Sequence, residues 1–126
     1  MMIQFILYVA NQTRSTEFYS SILQAEPVLN TPGMTEFLVS PDCELGLMPE
    51  AGIAKIFGET TPHPSTGSGI PRCELYLSVE DAQNEFSGAL HAGATSVDPV
   101  APRDWGDTVG YVADPDGHII AFAQRI

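Results

Sequence analysis

Two segments of this chain repeat one another at a distance. Residues 4–11 read QFILYVAN and residues 74–81 read ELYLSVED. Both alternate with the two-residue period of a strand. In the first, Phe5, Leu7 and Val9 share one face while Gln4, Ile6 and Tyr8 share the other. In the second, Leu75, Leu77 and Val79 oppose Glu74, Tyr76 and Ser78. Each segment therefore has one wholly apolar face and one mixed face. Each ends on an Asx residue, Asn11 or Asp81, whose side chain suits the N-cap of a following helix. A chain with this internal echo is constrained to build one architecture twice.

The material after each segment keeps the parallel. A helical stripe over residues 13–23 aligns Phe18, Tyr19, Ile22 and Leu23. A second over residues 82–92 aligns Phe86, Ala89 and Leu90, with Gly93 as its stop. Three short strands follow each helix, near 26–29, 35–40 and 44–48, then near 95–97, 108–113 and 119–124. Pro41-Asp42 makes one hairpin, and Asp114-Pro115-Asp116-Gly117 makes its counterpart. The plan is βαβββ twice, an α+β fold. A single domain is expected, with modules at about 1–49 and 72–126. The Gly- and Pro-rich segment 50–71 reads as a linker, with a short helix possible at 53–57 and a possible role as a flap.

Charge narrows the partners. Sixteen acidic residues face five basic ones, Arg14, Lys55, Arg72, Arg103 and Arg125, for a net charge of −11. Such a surface repels nucleic acid and anionic lipid, so neither is an expected partner. The apolar run from Ile3 to Ala10 is too short to span a bilayer and lacks a basic flank, which points to a cytoplasmic protein. Cys43 and Cys73 have no zinc-like spacing and read most simply as buried, reduced thiols, with a disulfide as the lesser alternative. Gly67-Ser68-Gly69 leads into Ile70-Pro71 and opens no phosphate-binding helix, and no serine elbow is present.

The paired βαβββ plan carries Ser15-Thr16-Glu17-Phe18-Tyr19, then Trp105-Gly106-Asp107, then Asp114-Pro115-Asp116-Gly117-His118. In that order these resemble the vicinal oxygen chelate superfamily of glyoxalases, bleomycin-resistance proteins and extradiol dioxygenases. The resemblance covers the whole chain. It implies two curled mixed sheets around a cleft lined by the mixed strand faces, and often a homodimer.

Enzymes of that superfamily hold a divalent metal with His, Glu or Gln side chains from the first and last strand of each module. Carried onto this chain, the four positions fall on Gln4, Gly46, Glu74 and Ala121. Gln4 and Glu74 can each donate an oxygen, whereas Gly46 and Ala121 have nothing to donate. No metal or other cofactor is therefore expected, with Gln4 and Glu74 as residual ligand positions. Among possible substitutes, Glu36 lies on a strand, while Glu44 and His118 sit at hairpin ends and read as solvent-exposed. His63 and His91 fall in a loop and at a helix end.

Glu74 either pairs with Arg72 or Arg103 or faces a ligand, and if desolvated it is a candidate base. No nucleophile–base pair completes a catalytic mechanism. The expected ligand-binding set is Gln4, Tyr8, Glu36, Met48, Glu74, Tyr76, Trp105 and Tyr111, with Met34 as a further pocket candidate. Trp105, in a polar turn, either stacks on a planar ligand or tucks under the last hairpin.

The leading expectation is a metal-free protein that binds a small cationic or neutral aromatic molecule, as in drug sequestration. The acidic balance makes the chain similar to the bleomycin-resistance branch. The alternative is a metal-dependent lyase, isomerase or dioxygenase, similar to lactoylglutathione lyase, with an atypical metal site. A third is a non-catalytic interaction module.

Overall fold

In the computed structural model, which describes residues 1–126, each copy of the repeat opens a four-stranded sheet of its own. The chain forms two compact units, Met1–Ser68 and Gly69–Ile126. The first contains β1 (Ile3–Val9), α1 (Gln12–Leu23), β2 (Leu29–Thr31), β3 (Met34–Ser40), β4 (Cys43–Pro49) and α2 (Glu50–Phe57). The second contains β5 (Glu74–Ser78), α3 (Ala82–His91), β6 (Thr95–Pro102), β7 (Asp107–Ala113) and β8 (Ile119–Arg125). Strand order is β1-β4-β3-β2 in one sheet and β5-β8-β7-β6 in the other. In both, the outer first strand runs parallel to the last strand and the other pairs are antiparallel.

The expected caps hold. The Asn11 side chain accepts from the Arg14 N–H at 3.0 Å, and Asp81 accepts from the Asn84 N–H at 3.0 Å. Each satisfies one of the orphan donors at a helix start. Gly93 adopts φ +111, a region that side-chain-bearing residues avoid, and ends the turn that closes α3.

In the first unit α1 lies over β3 and β4. Phe18, Tyr19 and Ile22 are buried there, as are Phe37, Leu45 and Leu47 on the sheet. Each such side chain contributes roughly 1.5–3 kcal/mol by leaving water. Phe18 and Tyr19 meet edge to face, with ring centroids 5.0 Å apart. The buried hydroxyl of Thr35 is fully engaged: Gln12 Nε2 donates to it at 2.9 Å, Thr16 Oγ1 lies at 2.9 Å, and it donates to Asn30 Oδ1 at 3.2 Å. Gln12 also accepts from the Gly33 N–H, so this network ties the β2–β3 turn to the start of α1.

In the second unit α3 packs on β6, β7 and β8. Phe86 and Val100 close on Gly110 so tightly that a Cβ there would lie 2.8 Å from the Phe86 ring and 2.5 Å from Val100 Cγ2. Gln124 Oε1 accepts from the Ala82 N–H at 2.9 Å, fastening the first turn of α3 to β8.

Several expectations need correction. The apolar face of β1 is buried only at its end: Val9 is inaccessible, whereas Phe5 is 62% exposed. The reason is that β1 is an outer strand and α1 covers its inner neighbours. Leu90 is exposed, and Ala82 is buried with Phe86 and Ala89 instead. The strand near 26–29 is found at Leu29–Thr31, and the strand near 95–97 continues to Pro102. Bulges in β6 accommodate Pro99, which cannot donate to a regular ladder. The helix possible at 53–57 starts at Glu50, buries Ile53 and packs on β4 and β1. Neither cysteine is buried: Cys73 is exposed and Cys43 half-buried, both as free thiols. No helix is long and apolar enough to cross a membrane.

The two hairpins that join the second and third strands of each unit differ in length. Two residues separate the paired Thr31 and Met34 in the first unit, and five separate the paired Pro102 and Thr108 in the second.

Candidate functional site

The register fixes which side chains share the sheet face that carries Gln4 and Glu74. In the first unit Gly46 lies opposite Ile6 on one side and Glu36 on the other, while Gln4 lies opposite Glu44 and Tyr8 opposite Met48. Gln4, Ile6, Tyr8, Met34, Glu36, Glu44, Gly46 and Met48 thus belong to one face, because side chains alternate and paired residues point the same way. Gln4 Nε2 donates to Glu36 Oε2. The two residues stand on the strands either side of β4, and their side chains meet above Gly46. A Cβ on Gly46 would lie 3.4 Å from Gln4 Nε2, 3.1 Å from Ile6 Cγ1 and 3.5 Å from Met34 Sδ.

In the second unit Ala121 lies opposite Tyr76 and Tyr111, the counterpart of Gly46 between Ile6 and Glu36. Glu74 and Tyr76 follow one another on this face of β5, and Asp107, Val109 and Tyr111 on β7 join them. Val109, Ala121 and Ala123 form a buried apolar cluster against which Tyr111 packs. Trp105, in the turn between β6 and β7, donates its indole N–H to Tyr76 Oη at 2.9 Å. Tyr76 in turn donates to Asp107 Oδ2 at 2.6 Å. The indole is 59% exposed, so it is not tucked under the last hairpin. A chain of two hydrogen bonds holds a large aromatic surface toward water.

The charges around these rings have identifiable effects. The hydrogen bond to Asp107 pushes the Tyr76 phenol above the ordinary tyrosine value, opposed by the N–H donated from Trp105. Burial pushes the Tyr111 phenol up, the charge of Glu74 adds to this, and Arg103 pulls the other way. Arg103 stands over the Tyr111 ring, its guanidinium carbon 5.2 Å from the centroid. It also pairs with Asp98 at 3.0 Å and donates to the carbonyls of Pro99 and Val109 at 2.9 and 2.8 Å.

This corrects the expected partners of Glu74. Arg103 is committed to Asp98, no basic side chain pairs with Glu74, and the carboxylate is exposed. His118 is corrected as well: it is half-buried, its Nδ1 2.8 Å from Asp114 Oδ2. Glu44 is likewise half-buried and not solvent-exposed. The buried Asp114 also accepts from the Asp116 and His118 N–H groups, both at 2.9 Å. Asp114, Asp116 and His118 bring their ligand atoms within 4.8 Å of one another. The carboxylate of Asp114 is spent on the turn, which explains the cluster as the clamp of the β7–β8 hairpin.

The structure gathers Gln4 and Glu36 in one unit, and Glu74, Tyr76, Trp105 and Tyr111 in the other. Tyr8 and Met48 lie one rung beyond Gly46. Asp107 and Arg103 escaped the sequence reading as site residues. The alternation of Asp107, Val109 and Tyr111 was the available signal for Asp107. Nothing in the sequence marks Arg103 as lying over a ring.

A resident divalent metal does not suit the donors at the four family positions. Gly46 and Ala121 are buried on the relevant faces and have no donor atom, and the Gln4 amide is bonded to Glu36. Metal affinity follows donor number, and this set is short of donors.

Comparison with known proteins bears on the family. The phenazine antibiotic resistance protein EhpR of Enterobacter agglomerans is 30% identical over 115 residues, which are 91% of this chain and 84% of that protein. Protein Mb0911c of Mycobacterium bovis is 28% identical over 123 residues, 95% of this chain and 80% of that one. A glyoxalase-related enzyme from Fulvimarina pelagi shares the fold, with a TM-score of 0.85 at 21% identity, covering 99% of this chain and 88% of that one. The family model for the Glyoxalase/Bleomycin resistance protein/Dioxygenase superfamily matches residues 2–122, and the chain belongs to that superfamily.

Proposed function

We propose that this protein binds a small planar organic molecule, cationic or neutral, on the aromatic face of its second sheet, without a metal and without catalysing a reaction. The observation that carries the reading is the Trp105–Tyr76–Asp107 chain beside Tyr111 and the unpaired Glu74. An exposed indole held by hydrogen bonds is a ready stacking surface, because the ordering of its side chain is done before a ligand arrives. A neighbouring carboxylate without a basic partner favours positive charge or an N–H donor on that ligand. Similarity to a phenazine antibiotic resistance protein supports a planar aromatic ligand.

The test is calorimetry with a matched pair, N-methylphenazinium and phenazine-1-carboxylate. The cation is expected to bind more tightly. Glu74→Gln is expected to weaken it by ~1–3 kcal/mol, the scale of a lost charge-assisted interaction, and not to weaken the anion. Equal affinities for the pair, or a cation indifferent to Glu74→Gln, would remove the reading.

A further inference from the structure

The aromatic face leaves a different feature of the first unit unexplained. Glu36 is half-buried on β3, and its hydrogen bond is to a neutral amide, that of Gln4. The basic residues of this unit, Arg14 on α1 and Lys55 on α2, do not pair with it. Glu44 lies two residues before Gly46 on the same face and adds a second negative charge. A carboxylate partly withdrawn from water and offered no cation is incompletely compensated, and a ligand cation supplies what is missing.

The geometry is specific. Gln4 and Glu36 stand on strands separated by β4, and their side chains join across it because Gly46 raises no side chain between them. The Gln4 amide holds one carboxylate oxygen, Oε2, which leaves Oε1 to receive a donor. Ile6, Met34 and Met48 supply apolar surface around the pair.

We infer that Glu36, steered by Gln4 above Gly46, is a recognition site for a protonated amine carried on an apolar body. The inference deepens the binding reading by assigning a second, independently located contact on the first sheet. Gln4 acts here as a positioning residue and Glu36 as the residue that touches the ligand. The N–H donor is part of the claim: a quaternary ammonium of equal charge cannot donate to Oε1.

The experiment is an NMR titration of the full-length, 15N-labelled chain with benzylammonium, with benzyltrimethylammonium and benzyl alcohol as controls. Benzylammonium is expected to shift the Gln4 side-chain amide and the Gly46 backbone signal in a saturable manner, and both controls are expected to shift them much less. Glu36→Gln is expected to weaken benzylammonium roughly tenfold or more, the loss of one charge-assisted hydrogen bond. Gln4→Leu keeps the charge but frees the carboxylate, and is expected to weaken binding roughly threefold. Its folded spectrum keeps the test valid should Glu36→Gln fail to fold.

Gln4 and Gly46 signals that stay still, or variants that titrate like the wild type, would overturn the inference. A parallel titration with N-methylphenazinium follows the Trp105 indole signal. A moving indole with a silent Gln4 removes the amine site and keeps the aromatic one. A moving Gln4 with a silent indole does the reverse.

Discussion

Replacing Gly110 with alanine tests the packing of the second unit at a point where the structure fixes the magnitude. The new methyl would lie 2.5 Å from Val100 Cγ2 and 2.8 Å from Phe86 Cδ2, both closer than real Cβ contacts. The two neighbours come from different elements, β6 and α3, so neither a shift of the strand nor a shift of the helix relieves both. Overpacking of this kind costs ~1–3 kcal/mol, and two simultaneous clashes place Gly110→Ala at about 2–3 kcal/mol. For a chain of 126 residues this lowers the melting temperature by about 8–12 °C.

Gly88, on the exposed side of α3, is the matched control. A Cβ there meets nothing within 4 Å, and a mid-helix Gly→Ala change is expected to stabilise by ~0.5–1 kcal/mol. Urea denaturation of both variants gives the comparison at unchanged slope. Adding Val100→Ala to Gly110→Ala removes one of the clashing atoms, so the double variant should be more stable than the sum of the single effects. A Gly110→Ala protein within about 0.5 kcal/mol of the wild type would refute the claim that the α3–sheet contact is closed at this point.

Other outcomes follow from the same structure. Asp114→Ala strips the partners from the Asp116 and His118 N–H groups, and thermal unfolding should register a loss of ~2–4 kcal/mol; an unchanged melting temperature would deny the clamp. Tyr76 and Tyr111 should ionise at higher pH than free tyrosine in an alkaline titration of phenolate absorbance, and Asp107→Asn should bring Tyr76 back down. Because a raised phenol keeps its proton longer in the native state than in the unfolded one, Tyr111 contributes stability that is full below about pH 10 and falls as pH rises through the native value. Elemental analysis after dialysis should find no stoichiometric divalent metal, and a chelator should leave binding of an aromatic cation unchanged; one metal per chain would return the enzyme alternative. Light scattering should give a dimer, an expectation that a monomer at micromolar concentration would end.

The fold was readable because its signals are local and doubled. Period-two alternation, an Asx cap and a DPDG turn each depend on a few adjacent residues, and finding most of them twice fixed the topology. Strand limits failed where a non-local partner decides them, as when bulges carry β6 through Pro99. Burial failed at Phe5 and Leu90 for a related reason: alternation says which face a residue occupies, not whether a helix lies over it. The site was legible in its residue types and less so in its pairings. Gln4, Glu36, Tyr76 and Trp105 were named as candidates, but the bonds that join them span 32 and 29 positions in sequence. The commitment of Arg103 to Asp98 is set by the twist and bulge of one hairpin, which no pattern of residue types encodes.

That hairpin has a wider meaning. The chain is one plan built twice, and the five residues from Arg103 to Asp107 against two at the equivalent turn mark a place where the two halves differ. This stretch carries Arg103, Trp105 and Asp107, three of the polar and aromatic residues around the aromatic face of the second sheet. Sheets supply the frame and a surface loop supplies part of the chemistry, so the residues of the loop can change without disturbing the paired strands beneath it. A loop of this kind is a module for exchange. Trimming it to the length of its twin would take the Trp105 indole and the Arg103 guanidinium away from Tyr76 and Tyr111 without touching the pairings of β6 with β7.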